Sequence, residues 1–205
     1  MKEKESVALK YLNEKYKDYH DEFEIVETNF AGYTGLKDVY YVRSKTLKNK
    51  RIVVECINEH FKDNYISLLF IKTYEERIQL IYTKKFGCCK CICSDHVYPT
   101  DRFTVVTTFD NYICDINNSI REVLLVEAQD ADAVAAQAID IMHDLNIPHK
   151  SLNVKVVKDI EVMKKISTYM ELEKYEENNQ NCYEADILLK MKGFEVIARI
   201  DRGII

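Results

Sequence analysis

Cys88-Cys89-Lys90-Cys91-Ile92-Cys93, followed by His96, is the densest run of metal-ligating and nucleophilic side chains in the sequence. Tetrahedral zinc takes thiolate sulfur and imidazole nitrogen. Cys88-x-x-Cys91 has the spacing of half a zinc knuckle, and Cys93 or His96 would complete the set. A structural zinc usually clamps two separated chain segments, and no second Cys-x-x-Cys exists, which argues against the ion. The competing reading is a strand in which Cys89, Cys91 and Cys93 face one way as small hydrophobic groups. A redox pair fits less well, because the flanks are not thioredoxin-like. The expectation is therefore a strand, or the approach to one, over 88–93 with no bound metal or other cofactor. Zinc on Cys88, Cys91, Cys93 and His96 is the alternative.

No other group of residues completes a catalytic motif. Histidines 20, 60, 96, 143 and 149 are scattered, without a His-Glu-x-x-His. His143 and His149 flank a helix end, where a cation meets the carbonyl terminus favourably. Gly32-Tyr33-Thr34-Gly35 is too short and aromatic for a phosphate loop and reads as a turn. There is no Gly-x-Ser-x-Gly elbow. Cys56, Cys114 and Cys182 have no assigned histidine partner and read as packed thiols. The carboxylate pairs Asp130/Asp132 and Glu75/Glu76 read as a helix start and a solvent face. No catalytic residue is assigned.

Tyrosine supplies the remaining candidate. Tyr11, Tyr16, Tyr19, Tyr33, Tyr40 and Tyr41 crowd the first third of a chain that has 14 Tyr and no Trp. Neighbouring strand residues point to opposite faces, so Tyr40 and Tyr41 cannot share one core. One of them is exposed or covered by a further layer. Tyr40, Tyr41 and Arg43, bordered by Lys45, are the candidate interaction residues.

The elements that must position these groups follow from periodicity. Val7, Ala8, Tyr11, Leu12, Tyr16 and Tyr19 predict a helix over 6–19, with Ser6 as N-cap. Strands are expected over 23–30, 38–44 and 51–57. Leu68, Ile71, Tyr74, Ile78 and Ile81 predict a helix over 63–85, capped by Asp63 or Asn64 and closed by Gly87. After the cysteines come strands over 103–108 and 123–128. A helix over 130–146 has Asp130 as N-cap and Pro148 beyond its end. A strand over 152–157, a helix over 159–172 and a loop over 176–181 follow. The last element is a hairpin of 183–191 with 194–200 around Lys192-Gly193. The order is αβββα, then ββαβαββ. That is an α+β protein of mainly antiparallel sheet with helices packed on one face. The halves fall at 1–87 and 102–205, joined by the cysteine-rich 88–101, or combine as one unit.

Bulk properties exclude several classes. With 205 residues, 47% hydrophobic, the chain can fill a core. A net charge of −5 with interleaved signs disfavours nucleic acid, which needs a concentrated basic footprint. No run approaches the ~20 apolar residues of a membrane span. Met1-Lys2-Glu3-Lys4-Glu5 lacks an apolar signal core. A cytoplasmic protein is expected, or an extracellular or membrane-anchored ectodomain if a leader has been removed. Seven cysteines are an odd number, so at least one cannot pair within the chain.

Ala8-Leu9-Lys10-Tyr11-Leu12-Asn13-Glu14-Lys15-Tyr16 followed by Phe23-Glu24-Ile25-Val26, then Lys62-Asp63-Asn64-Tyr65-Ile66, resembles a loose group of uncharacterised Gram-positive bacterial proteins. The stretch from Met142 to Pro148 with Ser151-Leu152-Asn153-Val154 is similar to that group too. Many of its members are small lipoproteins or membrane-anchored ectodomains. The resemblance implies an α+β fold with a cystatin-like N-terminal part, and no activity. The missing leader and the density of cysteine depart from the group and put an exported location in doubt. The functional expectation is a non-enzymatic binding or accessory module that meets an unknown protein partner through a surface. A zinc-binding protein built on 88–96 is the alternative, and a site assembled from separated residues is a third.

Overall fold

Helical spacing of apolar residues opens the chain as α1 (Lys2–Lys15), which starts ahead of Ser6 and so does not use it as a cap. The computed structural model describes residues 2–30, 36–48, 50–94, 96–115, 120–145, 151–179, 183–192 and 195–202. The expected turn at 32–35, Tyr33, Cys182, Pro148, His149 and Gly193 lie outside them. The described residues form two units, 1–70 with 95–112 and 71–94 with 113–205.

In the first unit α1 buries Ala8 and Leu12. A short 3₁₀ turn, Lys17–Tyr19, then ends at His20 in the left-handed region. Strands β1 (Phe23–Asn29), β2 (Asp38–Ser44), β3 (Ile52–Ile57) and β4 (His60–Asp63) form an antiparallel sheet in chain order. Period-two alternation sets its faces: Tyr40, Val42, Ser44, Ile52 and Val54 are buried, while Arg43 points to solvent. β1 carries an irregularity between Ile25 and Glu27, a device that blunts a sheet edge. Strand β4 was not expected. It follows a two-residue turn, Asn58-Glu59, with φ of 49° and 66°. Positive φ at both positions is the geometry of a type I′ hairpin.

α2 (Tyr65–Phe86) begins in this unit and runs on in the next. Asp63 caps it through Tyr65 N–H at 2.9 Å. Asn64 serves otherwise: its Oδ1 accepts from Val53 N–H, and its Nδ2 donates to the Val97 carbonyl. The strand expected over 103–108 does not form. Phe103 turns in to meet Tyr112, with ring centroids 4.8 Å apart, and Val106 faces solvent. Among the described residues, the only strand-type pairing of 96–112 is the isolated bridge of Thr100 to Asp63. The short helix α3 (Phe109–Ile113) follows.

The second unit holds a five-stranded sheet of β5 (Cys89–Cys93), β6 (Arg121–Glu127), β7 (Ser151–Val157), β8 (Tyr183–Lys192) and β9 (Glu195–Arg202), in chain order. It is mixed, because β6 and β7 run parallel. The cause is the crossover helix α4 (Ala131–Leu145) between them, since a parallel neighbour needs a long connection. Asp130 caps α4 as expected, accepting from Ala133 N–H at 2.9 Å. The single helix read over 159–172 is two, α5 (Ile160–Lys165) and α6 (Tyr169–Asn178), separated by a capping box at Thr168 and Glu171. Val162, Met163 and Leu172 of these helices, with Ile166 just past the end of α5, pack with Ile92, Val123, Leu125 and Val157 of the sheet. The class is α+β.

Candidate functional site

The cysteine run becomes β5, an edge strand of the second unit, and its alternate residues face α2. Gln79 Nε2 lies 3.0 Å from the Cys89 carbonyl and 3.6 Å from its Sγ. Gln79 Oε1 accepts from Cys91 N–H at 2.7 Å, and one turn earlier Glu75 Oε1 accepts from Cys93 N–H at 3.0 Å. These two side chains, one helical turn apart, take the N–H groups that an edge strand leaves unused. Lys90, on the opposite face, reaches the Met163 carbonyl.

Antiparallel pairing sets Cys93 opposite Glu122 and Cys91 opposite Leu124. The two thiol sulfurs and a Glu122 carboxylate oxygen thereby come within 4.8 Å of one another, all three residues buried. α2 contributes two phenols: Tyr74 Oη donates to Glu122 Oε2 at 2.8 Å, and Tyr82 Oη donates to Oε1. Burial, then the Glu122 charge, push both phenols well above their ordinary pKa, so they stay protonated donors. Burial also raises the Cys89 thiol, against the bonds from Thr83 and Gln79 that favour its thiolate.

Of the residues expected around zinc, Cys91 and Cys93 are therefore brought together. Cys88 and His96 are exposed and stand outside the group. Glu122 was missed. Its only sequence signal is a carboxylate heading the apolar run Val123-Leu124-Leu125-Val126.

The first unit presents the tyrosines. Tyr40 is buried on the inner face, where it borders a hollow of about 590 Å³ with Val7, Phe61 and Cys56. Tyr41 lies on the other face under the Arg51 guanidinium, 3.6 Å from the ring centroid. Arg51 also pairs with Glu27. Beside them is a hollow of about 450 Å³ lined by Val26, Glu27, Arg43, Lys48, Lys50 and Arg51. Of the three candidate interaction residues, Tyr41 and Arg43 share a face and Tyr40 does not.

A third cluster is structural. Asp63 accepts from Tyr11 and Tyr16 hydroxyls, each at 2.7 Å, and from Lys15 Nζ at 2.6 Å, which fastens α1 to β4 and the start of α2.

No family model matches the chain, and no curated protein matches it. Among solved structures, the fold is similar to that of a DUF5037 family protein from Ruminococcus gnavus, with a TM-score of 0.60 over 93% of this chain and 92% of that one. At 13% identity the likeness carries the fold alone. It agrees with the resemblance to Gram-positive bacterial proteins at the level of architecture. No helix among the described residues is long and apolar enough to cross a membrane.

Proposed function

We propose that the chain is a non-enzymatic binding module whose four-stranded sheet takes an acidic segment of a protein partner on its outward face. The observation that carries this reading is the hollow lined by Arg43, Lys48, Lys50 and Arg51 with, among the described residues, a single carboxylate, Glu27. Four cations converge there on a protein of net charge −5. Guanidinium groups bind carboxylates through paired hydrogen bonds, and Arg51 is held in place by stacking on Tyr41. Such a patch steers and orients an acidic partner. It is too small and too local for a duplex, whose backbone needs an extended basic footprint.

The test is a titration with a fluorescent oligo-glutamate peptide, with oligo-lysine and a single-stranded oligonucleotide as controls, at low and high salt. Saturable binding of the acidic peptide is expected, weakened by salt and lost in Arg43→Glu with Lys48→Glu at an unchanged melting temperature. Equal binding by that double variant, or preference for the oligonucleotide, would falsify the proposal.

A further inference from the structure

The buried group on β5 and β6 is independent of that surface. We infer that Cys91, Cys93 and Glu122 form a binding site for a thiophilic divalent cation, zinc by chemistry, with Tyr74 and Tyr82 orienting the carboxylate. Two thiol sulfurs and a carboxylate oxygen lie within 4.8 Å of one another. Zinc bonds of about 2.3 Å to sulfur and about 2.0 Å to oxygen draw ligand atoms to separations a little shorter than that. The ligands come from two paired strands, so the ion clamps β5 to β6. That is the two-segment arrangement the sequence run 88–96 lacks on its own.

The surroundings are those of a built site. A metal-ligating side chain is held by partners outside the coordination sphere, and each Glu122 oxygen takes one phenol O–H. Gln79 and Glu75 fix the backbone of Cys91 and Cys93 by the bonds already described. Both phenols point their O–H groups at Glu122, so they serve as donors that orient the carboxylate. Three protein ligands leave the fourth tetrahedral position to a water or a small exogenous ligand. Binding displaces the protons of the Cys91 and Cys93 thiols to solvent, so affinity rises with pH. The ligand set differs from the one the spacing suggests: Glu122 enters, and Cys88 and His96 do not.

Metal analysis of the full chain, purified under reducing conditions without chelator and then reconstituted with zinc or cobalt, tests this. One ion per chain is expected. X-ray absorption on the unsubstituted zinc protein should show two sulfur and two oxygen neighbours. Cobalt should give thiolate charge-transfer absorption and the visible bands of a tetrahedral ion. Cys91→Ser and Cys93→Ser should each abolish stoichiometric binding, Glu122→Gln should weaken it at least tenfold, and Cys88→Ala and His96→Ala should leave it unchanged. If a core serine variant fails to fold, the absorption data on the unsubstituted protein decide. Three or more sulfur neighbours, an imidazole neighbour, loss of binding in Cys88→Ala or His96→Ala, or no stoichiometric ion overturns the inference.

Discussion

Asp63 shows how much one residue can organise in the first unit. Its carboxylate is buried and receives two phenol hydroxyls, the Lys15 ammonium and the first N–H of α2. Removing one partner of a buried charged network leaves the others desolvated and unmatched. Asp63→Ala should therefore cost about 3–5 kcal/mol, whereas Tyr11→Phe, which deletes one hydroxyl, should cost about 1 kcal/mol. Urea denaturation with an unchanged slope reads both; equal losses would mean that Asp63 is not the hub. Alternation alone separates Tyr40 from Tyr41, so their opposite faces were legible in the sequence. The sequence narrowed the cap of α2 to Asp63 or Asn64, and the structure gives the Tyr65 N–H to Asp63. The partners of Asp63 at Tyr11, Tyr16 and Lys15 were not legible, because they meet it across some fifty residues of chain. Glu122 was hidden for the same reason: nothing local says which strand will lie opposite Cys93.

At the scale of elements, the strands with clear alternation and the helices with clear stripes emerged within a few residues of their expected limits. The failures have separate causes. β4 was missed because its turn is Asn58-Glu59, without the glycine that advertises a type I′ hairpin. Residues 103–108 have strand composition, but pairing needs a partner edge, and Phe103 finds aromatic packing instead. The break between α5 and α6 was written in Thr168-x-x-Glu171, a capping box inside a continuous apolar pattern. Glu59 yields the prediction here. A residue with a side chain at φ 66° carries left-handed strain that glycine does not. Glu59→Gly should stabilise the protein by about 1 kcal/mol and raise its melting temperature. A fall in melting temperature would mean that the Glu59 side chain makes a contact worth more than the strain.

Over the whole molecule, the parallel pair β6–β7 shows what element order leaves open. Among the described residues one βαβ crossover sits inside an otherwise antiparallel plan, and a single helix between two strands does not say whether the second strand returns beside the first. Charge works at the same scale. Acidification neutralises 34 carboxylates and leaves 29 lysines and arginines and 5 histidines to repel one another. Particular carboxylates add to this. Burial alone would raise the Asp21 carboxyl. Bonds from the Tyr65 and Ser44 hydroxyls and from the Thr46 and Glu22 N–H groups outweigh it and hold the pKa below the ordinary value. Glu171 is likewise lowered, first by the Ser167 N–H. A group whose folded pKa is depressed contributes stability that is present above its unfolded pKa and lost as pH falls through the folded one. The melting temperature should therefore hold level near neutrality and fall once the pH drops below the ordinary carboxylate range. Asp21→Asn, which keeps an oxygen acceptor but not the charge, should lower stability at pH 7 by about 1–2 kcal/mol. Its curve should also be flatter in acid, converging on the parent curve as Asp21 itself becomes protonated. Melting curves collected from neutral pH into the acid range decide this. Two parallel curves would show that Asp21 contributes nothing to the acid transition and that general charge repulsion accounts for it.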